Sequence, residues 1–306
     1  MKVYAIIVTY NGDKWIEKCL GSLRDSTLPL SVLVIDNAST DKTVNIVKDQ
    51  FPQFQLIETG ANLGFGKANN IGLEIALKQH ADFVFLLNQD AWVETNCLQT
   101  LINIHNSNKQ FGILSPIHLS GDNLSLEYKF IEYIQPNVCP GFVSDFVVGK
   151  LATVYETTFV NAAAWLISKE CLQTVGGFDP LFYHYGEDAD FVERTRYFGF
   201  KTGVIPTATI WHDSKILTWP QILQNRKRML TIYVSELKSM GGSLRSNLLV
   251  FTKRHFDDLT SQLLFRRFKM FGYKFGLLSD AVFQLRKIHK ARKLSKEKGA
   301  FLQIEK

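Results

Sequence analysis

Acidic residues, amides and one histidine stand at the ends of apolar runs in this chain, and their types narrow the chemistry open to it. Asp36 closes the run VLVID (residues 32–36), where an ionised carboxylate needs a ligand or backbone donors to offset its burial. It suits a hydrogen bond from a nucleotide base, with Thr9 and Asn11 at the end of the first apolar run closing the same pocket; the alternative is a turn or N-cap residue. FVFLLNQDA (83–91) ends in Asn88, Gln89 and Asp90. Hard oxygen ligands there suit Mn²⁺ or Mg²⁺, ions that keep waters and take diphosphate oxygens as further ligands, and the alternative is an acid at a helix start. YHYGEDADF crowds Glu187, Asp188 and Asp190 behind a glycine. Such acids either complement a helix dipole or supply a general base, its pKa raised by burial and by its acidic neighbour, that takes a proton from an acceptor hydroxyl. His212 ends TIWH and becomes a second metal ligand if its strand end reaches Asp90; otherwise it is an ordinary surface or core histidine.

These residues need strands that end together. Apolar runs at residues 2–9, 32–36, 54–58, 83–88 and 112–116 read as strands, with helical spacing between them. Trp15, Ile16, Cys19, Leu20 and Leu23 mark one face of the first helix, and Ser39 and Thr40 are the candidate N-caps of the second. Four such alternations with short links predict an α/β fold with a mostly parallel sheet covered on both faces, and ligands in such sheets collect beyond the carboxyl ends of the strands. The stretch 59–72, TGANLGFGKANNIG, is a glycine-bearing loop that sets Lys67 and the Asn69–Asn70 pair ahead of a helix whose N-terminus faces phosphate, or else a plain turn. A helix is expected from residue 94 to 107. Residues 118–158 lose periodicity and read as an irregular or antiparallel insertion. Residues 159–167 read as a strand, 169–177 as a short helix stopped by Gly176 and Gly177, 189–199 as a helix, and 203–212 as an extended piece.

Length and composition set the outer limits. A chain of 306 residues suits one large domain or one domain with an appendage. No apolar run approaches the roughly 20 residues that span a bilayer, and the N-terminus reads as a strand rather than a signal segment, so the expected place is the cytoplasm. Cys19, Cys97, Cys139 and Cys171 have no paired spacing and are expected to be reduced packing residues. Of the 35 Lys/Arg and 29 Asp/Glu, 14 and five respectively fall after Thr252, so the +6 net charge belongs to the tail and the body is slightly acidic. With no recognised reader motif, nucleic acid is disfavoured as a partner.

Taken in order, VTYN, VIDNASTD, NLGFGKANN, LLNQDA, GGFDPLFYHYGEDADFVERTRYFGF and IPTATIWH resemble the family 2 inverting glycosyltransferases of GT-A fold, and most of all their rhamnosyltransferase-type members in bacterial surface polysaccharide synthesis. The likeness spans roughly residues 1–228. It implies that Thr9 and Asp36 bind the base of a UDP- or dTDP-sugar, Asn88 the ribose, and Asp90 the cation beneath the diphosphate. It further implies that His212 completes the metal site, that Asp188 is the catalytic base and that Glu187 tunes it. Lys215, Arg226 and Arg228 are candidates to approach the diphosphate. The chain departs from the family's pattern at Asn88, which often is Asp, and at Asn161, which often is Gly.

The expected architecture is a catalytic domain over 1–218 and a basic helical extension over 219–306. Phe256, Leu259, Leu263, Phe271, Phe275, Leu278, Val282, Leu285 and Ile288 recur mostly every three or four residues there, with Gly272 and Gly276 expected to break the run into separate helices. Such a tail suits anionic lipid, where a polyprenyl-diphosphate-linked saccharide acceptor would lie, or else packing on the catalytic domain or a second copy in a homodimer. Two other functions fit less well: a sugar-phosphate nucleotidyltransferase, for which TYNGDKW lacks the glycine- and arginine-rich loop, and a non-catalytic nucleotide-sugar-binding subunit, suggested by Asn88.

Overall fold

The computed structural model describes residues 1–214 and 219–303, with only the backbone of Trp219, Ile222 and Gln224. The amino half follows the predicted alternation: β1 (Val3–Thr9), α1 (Ile16–Arg24), β2 (Ser31–Asp36), α2 (Thr43–Gln50), β3 (Gln55–Glu58), α3 (Phe65–Lys78) and β4 (Phe83–Asn88). β1 pairs in parallel with β2 and β4, and β2 with β3, so Thr9, Asp36 and Asn88 all fall at the same sheet edge. Near-continuous burial of β1, β2 and β4 reflects helices on both faces, while β3 at the sheet edge is partly exposed, and two large apolar clusters lie on either side of the sheet.

The second half is mixed. β5 (Ala91–Val93), α4 (Cys97–Ser107), β6 (Phe111–Ser120), α5 (Phe130–Tyr133), α6 (Phe142–Val147), β7 (Tyr155–Glu156), β8 (Ala164–Ser168), α7 (Lys169–Val175), α8 (Glu187–Tyr197) and β9 (Lys201–His212) follow. The sheet order is β3-β2-β1-β4-β8-β6-β9-β5, with β7 on β9. β8 enters antiparallel between β4 and β6, while β6 and β9 run parallel to each other. β5 pairs antiparallel with β9, joining Ala91 to His212 and thereby bringing the two ends of the candidate metal site together.

Several boundaries differ from expectation. The expected helix at 94 begins at Cys97 because residues 91–93 are recruited as an edge strand by β9. β6 passes Pro116, where the sequence reading stops it; proline lacks a ladder donor, and the register shift at Pro116/Ile117 absorbs the loss. The strand expected from 159 starts at Ala164, since pairing with β4 and β6 begins only there. Ser39 and Thr40 do not cap α2, which starts four residues beyond Ser39: Ser39 turns back on Asp36, and Asp41 instead accepts the Thr43 N–H at 2.9 Å. All four cysteines are free and buried.

The C-terminal helices are α9 (Trp219–Gln224), α10 (Arg226–Lys238), α11 (Leu244–Leu264), α12 (Phe268–Phe283) and α13 (Leu285–Leu294). Gly272 and Gly276 lie inside α12 and do not break it. A helix-interior glycine costs only about 1 kcal/mol, and Gly276 makes room for the Arg226 guanidinium, which pairs with Asp280 at 2.5 Å. The breaks fall at Arg266, in the left-handed region at φ 55°, and at Gln284. These helices form a third apolar cluster with Phe182 and return the chain to the sheet domain, where Gly177 donates to Ala300 O and Asn70 to Phe301 O. Among the described residues no helix is long and apolar enough to cross a membrane.

Candidate active site

A cleft of about 870 Å³ opens at the carboxyl edge of the sheet. Asn11, Asn88, Asp90, Glu187, Asp188 and His212 all line it, so residues up to two hundred positions apart in sequence meet in one place.

Behind Asn11 lies a hydrogen-bonded relay. The Asn11 N–H donates to Ser39 Oγ, and Ser39 Oγ donates to Asp36 Oδ1 at 2.5 Å. Thr9 Oγ1 also donates to Oδ1 at 2.8 Å, and the Ser39 N–H to Oδ2 at 2.9 Å. Asp36, only 2% exposed, thus has its charge offset by local donors and retains one of its roughly four acceptor sites. Thr9 and Asp36 sit next to the cleft rather than in its lining.

Lys67 is exposed on α3, outside the lining. The asparagines expected ahead of that helix are within it: Asn69 donates to Phe65 O, and Asn70 grips the Phe178 backbone in both directions at 2.7 and 2.8 Å. They brace the fold. The glycine-loop reading missed this because Phe65 begins the helix one residue after Gly64, whose φ of 83° and contact with the Tyr183 carbonyl admit no side chain.

Asp90 and His212 approach as expected, with His212 Nε2 at 3.4 Å from Asp90 Oδ1. His212 is 5% exposed and its Nδ1 has no protein partner, an arrangement that fits a ligand for a divalent ion. Asp213 follows and fixes the loop wall: it accepts from Trp15 Nε1 at 2.6 Å and from Lys14 Nζ at 2.9 Å, which hold its carboxyl below the usual range.

The three acids of EDAD part company within one helical turn. Asp190 turns inward to an ion network, paired with Arg194 Nε at 2.9 Å and with Lys238 Nζ, which also meets Asp179 at 2.7 Å. Arg194, fully buried, additionally donates to the carbonyls of Val175 and Gly177. Glu187 and Asp188 face the cleft instead. Burial, then the neighbouring Asp188 charge, pushes the Glu187 carboxyl up, and its Oε2 has no partner. Burial also raises Asp188, opposed by the Ala189 N–H at 2.8 Å and by Lys129 and Arg228. The pair is presented by consecutive left-handed residues, Tyr185 at φ 70° and Gly186 at φ 85°, and a Cβ on Gly186 would meet Ser235 and Thr231 at 2.9 Å.

Arg228 lines the same cleft with its guanidinium 3.9 Å from the Tyr185 ring centre, whereas Arg226 is drawn away to Asp280 and Lys215 lies outside the described residues. Asn161 also lines the cleft, and its buried Oδ1 is unpartnered. Sequence reasoning missed Glu127 and Lys129, cleft residues from the unpatterned insertion, and the buried His118 beside them. No local signal marks these three, because tertiary folding alone brings the insertion to the strand ends.

A carboxylate pair of raised pKa and an acid–histidine pair meet at the carboxyl edge of an α/β sheet, where such folds bind ligands and where perturbed acids mark a candidate active site. The family model Glycosyl transferase family 2 matches residues 4–174. The chain belongs to that family and is a glycosyltransferase. It is 25% identical over 236 residues (68% of this chain, 74% of the relative) to the N-acetylglucosaminyl-diphospho-decaprenol L-rhamnosyltransferase of Mycobacterium tuberculosis. It is 27% identical over 216 residues (69% and 68%) to the dTDP-rhamnosyl transferase RfbF of Shigella flexneri. Among solved structures, the TarS fragment 1–349 of S. aureus with UDP-GlcNAc aligns at TM-score 0.56 and 18% identity over 97% of this chain and 88% of that one. The mannosyltransferase PcManGT of Pyrobaculum calidifontis, with GDP-Man and Mn²⁺, aligns at 0.57 and 16% over 93% and 88%. At these identities the structures establish the GT-A type fold, and the sequence relatives establish the rhamnosyltransferase-like character.

Proposed function

We propose that the protein is a metal-dependent inverting glycosyltransferase that moves a sugar, with rhamnose as the leading candidate, from a UDP- or dTDP-sugar to a polyprenyl-diphosphate-linked or growing polysaccharide acceptor. The observation that carries this reading is the convergence of Glu187–Asp188 and Asp90–His212 on one cleft. Both named rhamnosyltransferase relatives support the sugar, and the decaprenol-linked substrate in one relative's name supports the acceptor class.

In this mechanism Asp188 takes the proton of the acceptor hydroxyl as that oxygen bonds to the anomeric carbon. The carbon–phosphate oxygen bond breaks on the opposite face, and its electron pair leaves with the nucleoside diphosphate, inverting the centre. Glu187, neutral at that moment, keeps a second negative charge away from the base. Asp90 and His212 would hold the cation, whose Lewis-acid role is to offset charge growing on the leaving diphosphate. Asn88 bonds the ribose, and the Thr9–Asp36 relay positions Asn11 and the nucleotide base.

A polyprenyl-linked acceptor would bring the reaction to a membrane surface. The turn between α11 and α12 is suited to that contact: Leu264 is 82% and Phe265 70% exposed, with Arg266, Arg267 and Lys269 adjoining them. Flotation with phosphatidylglycerol vesicles, lost in Phe265→Glu, tests the lipid, and sizing at increasing concentration tests the homodimer. The function itself is tested by release of nucleoside diphosphate from a panel of nucleotide sugars with Mn²⁺ and a lipid-linked acceptor. Silence across the panel would overturn it, and release of pyrophosphate would favour a nucleotidyltransferase.

A further inference from the structure

His118, Glu127 and His212 bring one potential ligand atom each to within 4.8 Å of the others, and all three residues are buried. They come from adjoining segments: His118 from β6 beyond its register shift, Glu127 from the insertion, whose N–H donates to the His118 carbonyl at 2.9 Å, and His212 from the end of β9, which pairs with β6. Glu127 and His212 line the cleft beside Asp90.

Ser115 Oγ stands 3.1 Å from both the Pro116 carbonyl and His118 Nε2. In the tautomer whose Nε2–H donates to Ser115 Oγ, Nδ1, which is buried and has no protein partner, offers its lone pair to an ion. Glu127 is fixed by donors on both oxygens, the Phe130 N–H at 2.8 Å and Ser214 Oγ at 2.5 Å. Each oxygen keeps a second lone pair. The outer hydrogen bonds resemble those that orient metal ligands elsewhere: a histidine donating its other nitrogen, and a carboxylate held by donors.

We propose that His118, Glu127 and His212, bordered by Asp90, form a cage for the divalent cation, in which Glu127 supplies the carboxylate that Asn88 does not. The inference rests on the metal-dependent reading above and extends it to ligands from the insertion. Metal–ligand distances of about 2.0–2.2 Å draw the three ligand atoms together by small side-chain rotations. Two imidazoles in the set also change which ion is preferred. Mn²⁺, Co²⁺ and Zn²⁺ accept nitrogen ligands, whereas Mg²⁺ favours oxygen and water.

The test is calorimetric titration of the full chain with Mn²⁺ alone and with Mg²⁺ alone, for wild type, Glu127→Gln, His118→Gln and Asp90→Asn. A Co²⁺ absorption spectrum and a melting curve accompany each protein. The cage predicts one Mn²⁺ per chain, bound more tightly than Mg²⁺. It also predicts a loss of about tenfold or more in affinity in both Glu127→Gln and His118→Gln, with a changed Co²⁺ spectrum at unchanged melting temperature. Should His118→Gln fail to fold, Glu127→Gln and the wild-type spectrum decide the matter. Normal Mn²⁺ binding in Glu127→Gln, with loss only in Asp90→Asn, would overturn the cage while leaving the metal-dependent reading intact. Sugar transfer by a wild type that binds no cation would overturn both.

Discussion

The two halves of the cleft are built by different means. From β1 to β4, each candidate residue sits at or just beyond the carboxyl end of a parallel strand: Asn11 after β1, Asp36 on β2, Asn88 and Asp90 on and after β4. A short local pattern of apolar strand, polar end and following helix is enough to present them. The other wall is assembled from the insertion, the start of α8, the end of β9 and the helix α10, which contribute Glu127, Asp188, His212 and Arg228. There the chemistry depends on long-range packing. The ion network of Asp179, Asp190, Arg194 and Lys238 ties α8 to α10 and so holds Asp188 and Arg228 over the same cleft.

That contrast is open to direct attack. The largest effect should come from Lys238→Met, which leaves Asp179 without its buried partner. Breaking such a pair costs about 3–5 kcal/mol, so the melting temperature should fall sharply. Donor binding in the β1–β4 half should persist below the transition. Next is Gly186→Ala, where a left-handed residue of about 1–3 kcal/mol strain would also collide with Ser235 and Thr231. Turnover should drop more than donor affinity, because the displaced groups are Glu187 and Asp188. Asn88→Asp, on the other wall, should leave Mn²⁺ affinity by calorimetry nearly unchanged, because Glu127 already supplies the carboxylate of the proposed cage, and a several-fold gain would show that it does not.

The smallest effect on rate is a pH shift. Glu187 is pushed up to about 8, so it is neutral at pH 7 and gains charge as pH rises through that value. Glu187→Gln preserves the neutral form and should keep most activity at pH 7. It should also remove any change in rate near pH 8 that the wild type shows. The acid limb, set by deprotonation of Asp188, should lie above the ordinary carboxylate range in both proteins, since burial raises that group. A pH–rate profile of each protein checks both statements.

The same division explains what could be read from the sequence. The placing of Thr9, Asp36, Asn88 and Asp90 at or just beyond one sheet edge was legible because strand period and strand end are local properties. His212 and Asp188 were legible through the resemblance of their flanking motifs, although nothing local shows that His212 meets Asp90; the β5–β9 pairing does that. Asp190 resembles Asp188 in sequence, yet its partners Arg194 and Lys238 make it structural, and Lys238 is 48 residues away. His118 fell outside the expected strand because Pro116 reads as a stop until the register shift is seen. In the tail, Gly272 and Gly276 mislead for the opposite reason: packing of α12 outweighs their modest propensity cost.

Asp188 and the Asp90 site divide the labour of transfer and donor binding, and one paired measurement addresses that division: donor binding by calorimetry and single-turnover sugar transfer, each with Mn²⁺, for wild type, Asp188→Asn and Asp90→Asn. Asp188→Asn should bind donor normally while transfer slows by about 10²–10⁴-fold, and Asp90→Asn should lose the Mn²⁺-dependent part of donor binding. Full transfer by Asp188→Asn would contradict the account.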